Sequence, residues 1–128
     1  MSTRVALDTS ALMMPVELDV RLFDELERLL EAFELTTPQS VIEELRRLSE
    51  KGGTEGTAAN VGHDLATERC LVVDTEASYA DDALVELARE GNVDYVVTND
   101  RPLRDRILEA GVPVIALRGR NKLAITRP

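Results

Sequence analysis

Four carboxylates in the 128-residue chain sit where a parallel sheet would gather them. Asp8 ends the apolar run Val5-Ala6-Leu7. Glu44 comes early in the helical stretch after Leu35-Thr36-Thr37, Asp82 opens a helical stretch after Cys70 to Val73, and Asp100 follows Val96-Val97-Thr98. In an open parallel sheet, ligands bind beyond the carboxyl ends of the strands, so acids at these four points face one crevice. Several carboxylates in a small space disfavour one another's ionised forms. A hard divalent cation resolves that conflict, because magnesium or manganese prefers oxygen ligands and commonly joins a few carboxylates to a phosphate. The matching chemistry is phosphodiester hydrolysis by an activated water. With one histidine, His63, and one cysteine, Cys70, a histidine-rich metal site, a multi-cysteine zinc site and an internal disulfide are excluded.

Each acid also has an ordinary reading, since Asp and Glu complement the positive end of any helix. That reading covers Glu43, Glu44, Asp81, Asp82 and Asp100 taken singly. It fits Asp8 least, because Asp8 ends a buried strand and Thr9 and Ser10 follow with hydroxyls able to hold its carboxylate. The inference rests on the four acids together.

The elements that must carry these acids follow from hydrophobic spacing. Val5–Leu7 reads as a buried strand. Val20 to Phe33 reads as an amphipathic helix, with Leu22, Phe23, Leu26, Leu29, Leu30 and Phe33 on one face. Leu35–Thr37 is a brief strand. Ser40 is placed to cap a helix bearing Val41, Ile42, Leu45 and Leu48. A weakly apolar helix spans Thr54 to Glu68 with Ala58, Val61, Leu65 and Ala66 inward. Cys70–Val73, Tyr95–Thr98 and Val112–Leu117 read as further strands, and 80–90 and 102–110 as helices, the former stopped by Gly91. Strands apolar on both faces that alternate with helices predict an α/β fold: three α/β/α layers with a central parallel sheet, in a single domain over 1–128. No apolar run reaches the ~18 residues of a membrane span and the N-terminus lacks a signal pattern, which places the chain in the cytoplasm.

At this point the residues resemble a family. Ala6-Leu7-Asp8-Thr9-Ser10, Pro38 to Leu45, Tyr79-Ala80-Asp81-Asp82-Ala83-Leu84 and Val97-Thr98-Asn99-Asp100-Arg101 look like the successive motifs of PIN-domain ribonucleases, across nearly the whole chain. Tyr-Ala-Asp-Asp, Thr-Asn-Asp-Arg and the closing Gly111-Val112-Pro113-Val114 with a basic tail are most similar to the archaeal branch related to the PIN nuclease of the small-subunit rRNA processome. The resemblance implies a Mg2+- or Mn2+-dependent endoribonuclease with catalytic and metal-binding acids at Asp8, Glu44, Asp82 and Asp100. Thr9, Ser10, Thr98, Asn99 and Asp81 would support them. Glu44 is preferred to Glu43 because the family's acid precedes the leucine of Val-x-x-Glu-Leu, and Asp82 to Asp81 because the family's acid precedes a small residue. Ser10 stands where many relatives have Asn. Pro102 stands where some have another acid, for which Asp105 is the nearest substitute.

The chain is acidic, with 24 Asp plus Glu against 15 Lys plus Arg and a net charge of −9. That balance argues against a sequence-independent nucleic-acid coat protein. Residues 118–128, however, hold Arg118, Arg120, Lys122 and Arg127 and no acid. Arg118, Arg120 and Lys122, together with Arg101 and Arg104 after Asp100, are the RNA-contact candidates. Phe23, Phe33, Tyr79 and Tyr95 are the only aromatics, too few for base stacking to dominate affinity. The resemblance to the processome branch implies an rRNA precursor as the substrate. A VapC-type toxin paired with an antitoxin, a catalytically silent scaffold and a receiver domain are the competing readings, the last lacking paired acids after strand one. A ribosome-assembly partner, and a homodimer through Leu22, Phe23 and the leucines after them, remain open.

Overall fold

The computed structural model describes residues 2–128. The elements run β1 (Thr3–Leu7), α1 (Thr9–Glu17), α2 (Leu22–Leu29), β2 (Phe33–Pro38), α3 (Gln39–Ser49), α4 (Gly53–Arg69), β3 (Leu71–Val73), α5 (Ala80–Arg89), β4 (Tyr95–Val97), α6 (Arg101–Glu109), β5 (Val114–Arg118) and β6 (Lys122–Thr126). The strands form one sheet in the order β3-β2-β1-β4-β5-β6. Every neighbouring pair is parallel except β5 with β6. Val5, Ala6 and Leu7 are all completely buried, as a central strand covered on both faces requires. Right-handed crossovers put α1–α4 on one face and α5 and α6 on the other. The packing agrees: α1 and α3 rest on α4, and α5 rests on α6.

The strand order places the site. From β1 the chain moves to β2 and β3 on one side, then returns to β4 on the other, so β1 and β4 flank the point where the order reverses. That is where the crevice of an open α/β sheet lies. Asp8 N–H bonds to the Val97 carbonyl at 3.2 Å, extending the β1–β4 ladder one residue past the strand and fixing Asp8 at the rim.

Four elements differ from the sequence expectation. Residues 9–17 form α1 even though Pro15 lies inside it, because Ala11, Leu12, Met13 and Met14 are buried and the packing outweighs the hydrogen bond that proline removes. The helix expected over 20–33 is only α2, since Leu30 turns to extended backbone and Phe33 begins β2. Ser40 does not cap α3; Pro38 stands at the cap position and makes no side-chain bond, and the Ser40 hydroxyl is buried without a partner. The basic C-terminal run is the β5–β6 hairpin, with Arg118 paired to Lys122.

α4 has almost no amphipathic signal because its buried residues are small: Gly56, Ala58, Ala59, Gly62 and Ala66. Val61 and Leu65, expected inward, are only half-buried. The small residues let helix backbones approach closely. A Cβ on Gly62 would lie 2.8 Å from the Leu12 carbonyl oxygen of α1. Among the described residues no helix is long and apolar enough to cross a membrane.

The antiparallel strand is secured from outside the sheet. Glu25 of α2 is buried, accepts the Leu123 N–H at 2.9 Å, and is held by Arg28 at 2.8 Å. Arg28 in turn donates to the Leu123 carbonyl at 2.7 Å, and Lys122 Nζ lies 3.7 Å from Glu25. The Arg28 guanidinium, then the Leu123 amide, hold the Glu25 carboxyl down at about 2.

Two outcomes follow for stability. Gly62→Ala should cost about 1–3 kcal/mol in urea unfolding, because backbone must move to admit the methyl group. Glu25→Gln should destabilise the protein at neutral pH. The native Glu25 carboxyl titrates below its ordinary value of 4.5, so its contribution is full above about pH 4.5 and declines as pH falls toward about 2. Urea midpoints of the two proteins measured between about pH 7 and 3 should therefore converge at the acid end.

Candidate active site

Asp8 is the anchor of the crevice. Its carboxylate caps α1, accepting the Ala11 N–H at 2.7 Å and the Ser10 hydroxyl at 2.8 Å, both on Oδ1. Thr98, from the end of β4, donates its hydroxyl to Oδ2. Asp8 is 3% exposed. Burial pushes its carboxyl up to about 7 despite these three donors, and the Asp81 carboxylate pushes it the same way. An ordinary capping aspartate is solvated and acidic; this one is not.

The donors to Asp8 are themselves fixed by the loop after β4. Asn99 N–H donates to Ser10 Oγ at 3.0 Å, and Asp100 N–H to Thr98 Oγ1 at 3.0 Å. The Asn99 side-chain oxygen accepts the Leu117 N–H at 3.0 Å, tying this loop to the end of β5. Asp100 caps α6 through Leu103 N–H at 3.0 Å. Ser10 both donates to Asp8 and accepts from the β4 loop. A hydroxyl at this position therefore links the two motifs.

Glu44 and Asp81 complete the crevice. Glu44 is half-buried and its Oε1 accepts the Thr9 hydroxyl, whereas Glu43 is exposed. The Asp81 carboxyl is raised above its ordinary value by burial, then by the charges of Asp100 and Glu44. Asp81 thus feels Glu44 and Asp100, and Asp8 in turn feels Asp81. Asp82, which the motif comparison favours, is turned to Arg106 of α6, with 2.9 Å between guanidinium and carboxylate and both side chains partly exposed. Helical spacing carries this distinction: α5 buries Ala80, Ala83, Leu84, Val85, Leu87 and Ala88. At 100° per residue Asp81 lies nearer that buried face and Asp82 nearly opposite it.

Arg101 and Asp105 are exposed on α6, and Arg104 is half-buried. Arg118, Arg120 and Lys122 are exposed at the β5–β6 turn, and Lys122 has an acidic neighbour in Glu25. His63 is half-buried with Nε2 enclosed and unpartnered. Burial drives the Cys70 thiol up to about 12, leaving it inert as a nucleophile. Among the described residues no three acidic, imidazole or thiol groups are drawn together closely enough to hold a metal ion as they stand. The donor chemistry nevertheless fits a hard dication: the set is all carboxylate, and two of its members are pushed toward the protonated form by burial and by neighbouring carboxylates.

Residues 5–120 match the model of the PIN-like domain. The chain belongs to the PIN-like domain family. It is 32% identical over 120 residues to ribonuclease VapC4 of Methanocaldococcus jannaschii, covering 90% of each chain. The fold is similar to that of the PIN domain endonuclease Utp24, with a TM-score of 0.78 and 26% identity over 98% of this chain and 92% of that one. A domain of a functionally unknown M. jannaschii protein shares the fold at a TM-score of 0.67 and 17% identity, covering 94% and 95%. The α/β PIN fold is therefore as the four motifs imply.

The Asp8 environment makes the metal-free PIN domain pH-sensitive. Between about pH 4 and 7 the native state holds a proton on Asp8 that the unfolded chain releases, so in EDTA stability should fall as pH rises through that window. Asp8→Asn should remove that slope and leave the variant more stable than the parent at pH 8 by about 2–4 kcal/mol, a tenfold difference in proton affinity between the two states being worth about 1.4 kcal/mol. Thermal melts of the two proteins at pH 5 and 8 measure it; parallel pH profiles would refute the burial argument.

Proposed function

We propose that this PIN domain is an endoribonuclease that hydrolyses RNA phosphodiester bonds with Mg2+ or Mn2+. The observation that carries the reading is a carboxylate buried at the β1–β4 switch point and held there by Ser10, Thr98 and the Ala11 amide, with the Asp81 carboxylate acting on it and those of Glu44 and Asp100 acting on Asp81. In that reading Asp8, Glu44, Asp81 and Asp100 hold the cation. Asp81 takes the place that motif matching gives to Asp82, and Asp82 instead anchors Arg106 at the rim. When bound, the dication supplies Lewis-acid charge to the phosphodiester oxygens and lowers the pKa of the attacking water.

The remaining work falls to the protein. Thr98, Ser10 and the Ala11 amide aim the Asp8 carboxylate, and Thr9 aims Glu44. Such partners typically matter about 10–100-fold in metal affinity or activity. Arg101 and Arg104 follow Asp100 at the start of α6, where guanidinium groups would meet phosphates that the acidic crevice repels. The biological substrate we favour is an rRNA precursor, on the resemblance of Tyr79–Asp82 and Thr98–Arg101 to the processome branch. The identity to VapC4 supports a second reading, a toxin ribonuclease held by an antitoxin.

Cleavage of a labelled structured RNA in Mg2+ or Mn2+ tests the activity. Cutting should vanish in EDTA and fall by about 100-fold or more in Asp8→Asn and Asp81→Asn, while Asp82→Asn stays within about tenfold of the parent. Equal losses in Asp81→Asn and Asp82→Asn would overturn the choice between them. Absence of both cutting and metal binding would move the protein to a silent scaffold. Growth arrest on expression, relieved by a small co-encoded protein, would select the toxin.

A further inference from the structure

A second charged feature lies outside the acid crevice. Between the C-terminal end of α2 and strand β6 runs an open groove of about 590 Å³, lined by Arg28, Arg118 and Lys122 over an apolar floor that includes Leu29, Leu123 and Ile125. Three cations on one groove stand out in a chain of net charge −9. Among the described residues Arg118 and Arg120 make no ion pair, so their charge is free. Glu25 beneath the groove offsets part of the charge of Arg28 and Lys122, and it also fixes the Arg28 guanidinium against the Leu123 carbonyl. A cation held in place loses little entropy when an anion arrives.

Topology brings this groove to the same end of the sheet as the acids. β5 runs parallel to β4, with Val97 opposite Ile115, so Leu117 and Arg118 leave the sheet beside Thr98, Asn99 and Asp100. The bond from Leu117 N–H to the Asn99 side chain makes that junction rigid. Arg118 is paired with Lys122 across the β5–β6 turn, so these two cations stand at the end of the groove nearest the loop after β4. The floor lacks aromatic side chains, which suits backbone contact more than base stacking.

We propose that this groove is a phosphate-backbone site for single-stranded RNA, Arg28, Arg118 and Lys122 contacting phosphates of the strand whose scissile bond lies at Asp8. The assignment rests on the endoribonuclease reading for its ligand, but binding can be measured without cleavage. The test uses the full chain with Asp8→Asn as parent and a labelled single-stranded RNA of about 12 nucleotides, within the usual span of such sites. Fluorescence anisotropy across about 50–200 mM KCl gives the dependence of log affinity on log salt, whose slope carries about 0.7 for each phosphate that the protein neutralises on a single strand. Adding Arg118→Ala and Lys122→Ala should flatten the slope by about 1.4 and weaken binding at least about tenfold at the lower salt. Because Lys122 also neighbours Glu25, Arg118→Glu alone is the second variant; its side chain is exposed and unpaired, and it should weaken binding without altering the circular dichroism. Unchanged affinity and slope in both variants would overturn the groove and leave its cations to a protein partner. So would a parent that binds no RNA at any salt. Failure of the nuclease reading appears separately, as wild-type protein that binds RNA through these residues but does not cut it.

Discussion

The structure turns on a carboxylate that has been taken out of water. Asp8 follows three fully buried residues of β1, and the cost of holding a charge there is partly offset by donors from three directions: its own helix amide, Ser10 and Thr98. Those donors are in turn fixed by amides of Asn99 and Asp100, so the β1 and β4 ends are bound together through one side chain. Burial still dominates, and the carboxyl remains far from its solution behaviour. A site built this way is rigid before any ligand arrives, and it is short of positive charge.

The same constraint explains why the acids are not equivalent. Glu44 is steered by Thr9, which follows Asp8 in the chain, and Asp100 is committed to capping α6. Asp81 is the acid that interacts with all three of the others, while its neighbour is drawn off by Arg106. One helical step separates two aspartates with different surroundings. Within the Asp82–Arg106 pair the guanidinium lowers the Asp81 carboxyl and the Asp82 carboxylate raises it, so the two partners act on Asp81 in opposite senses.

Much of this was legible in the residues. The apolar runs at Val5–Leu7 and Tyr95–Val97 and the four motifs in register identify the sheet and the class. What escaped has physical reasons. Pro15 hides α1, whose cohesion comes from packing of Ala11 to Met14. The strand β6 carries Lys122 at its start and follows a run of arginines, so charge obscures the alternation of Leu123 and Ile125. α4 uses glycine and alanine where a periodicity argument looks for leucine. On α5 the motif spacing favours Asp82, whereas the apolar face of the helix turns Asp82 toward Arg106.

The clasp of Glu25 and Arg28 on Leu123 has a meaning beyond holding β6. An outermost strand presents unpaired amides and carbonyls to any chain that passes, and extended proteins join through such edges. At Leu123 the outward N–H is taken by a carboxylate and the outward carbonyl by a guanidinium, the two bonds a neighbouring strand would have made. The sheet is thereby finished with side chains of opposite charge in place of a seventh strand. A newcomer must first strip a partly buried ion pair to gain two hydrogen bonds already made. The two residues that stitch the last strand to the domain thus also occupy the Leu123 groups through which a further strand would pair.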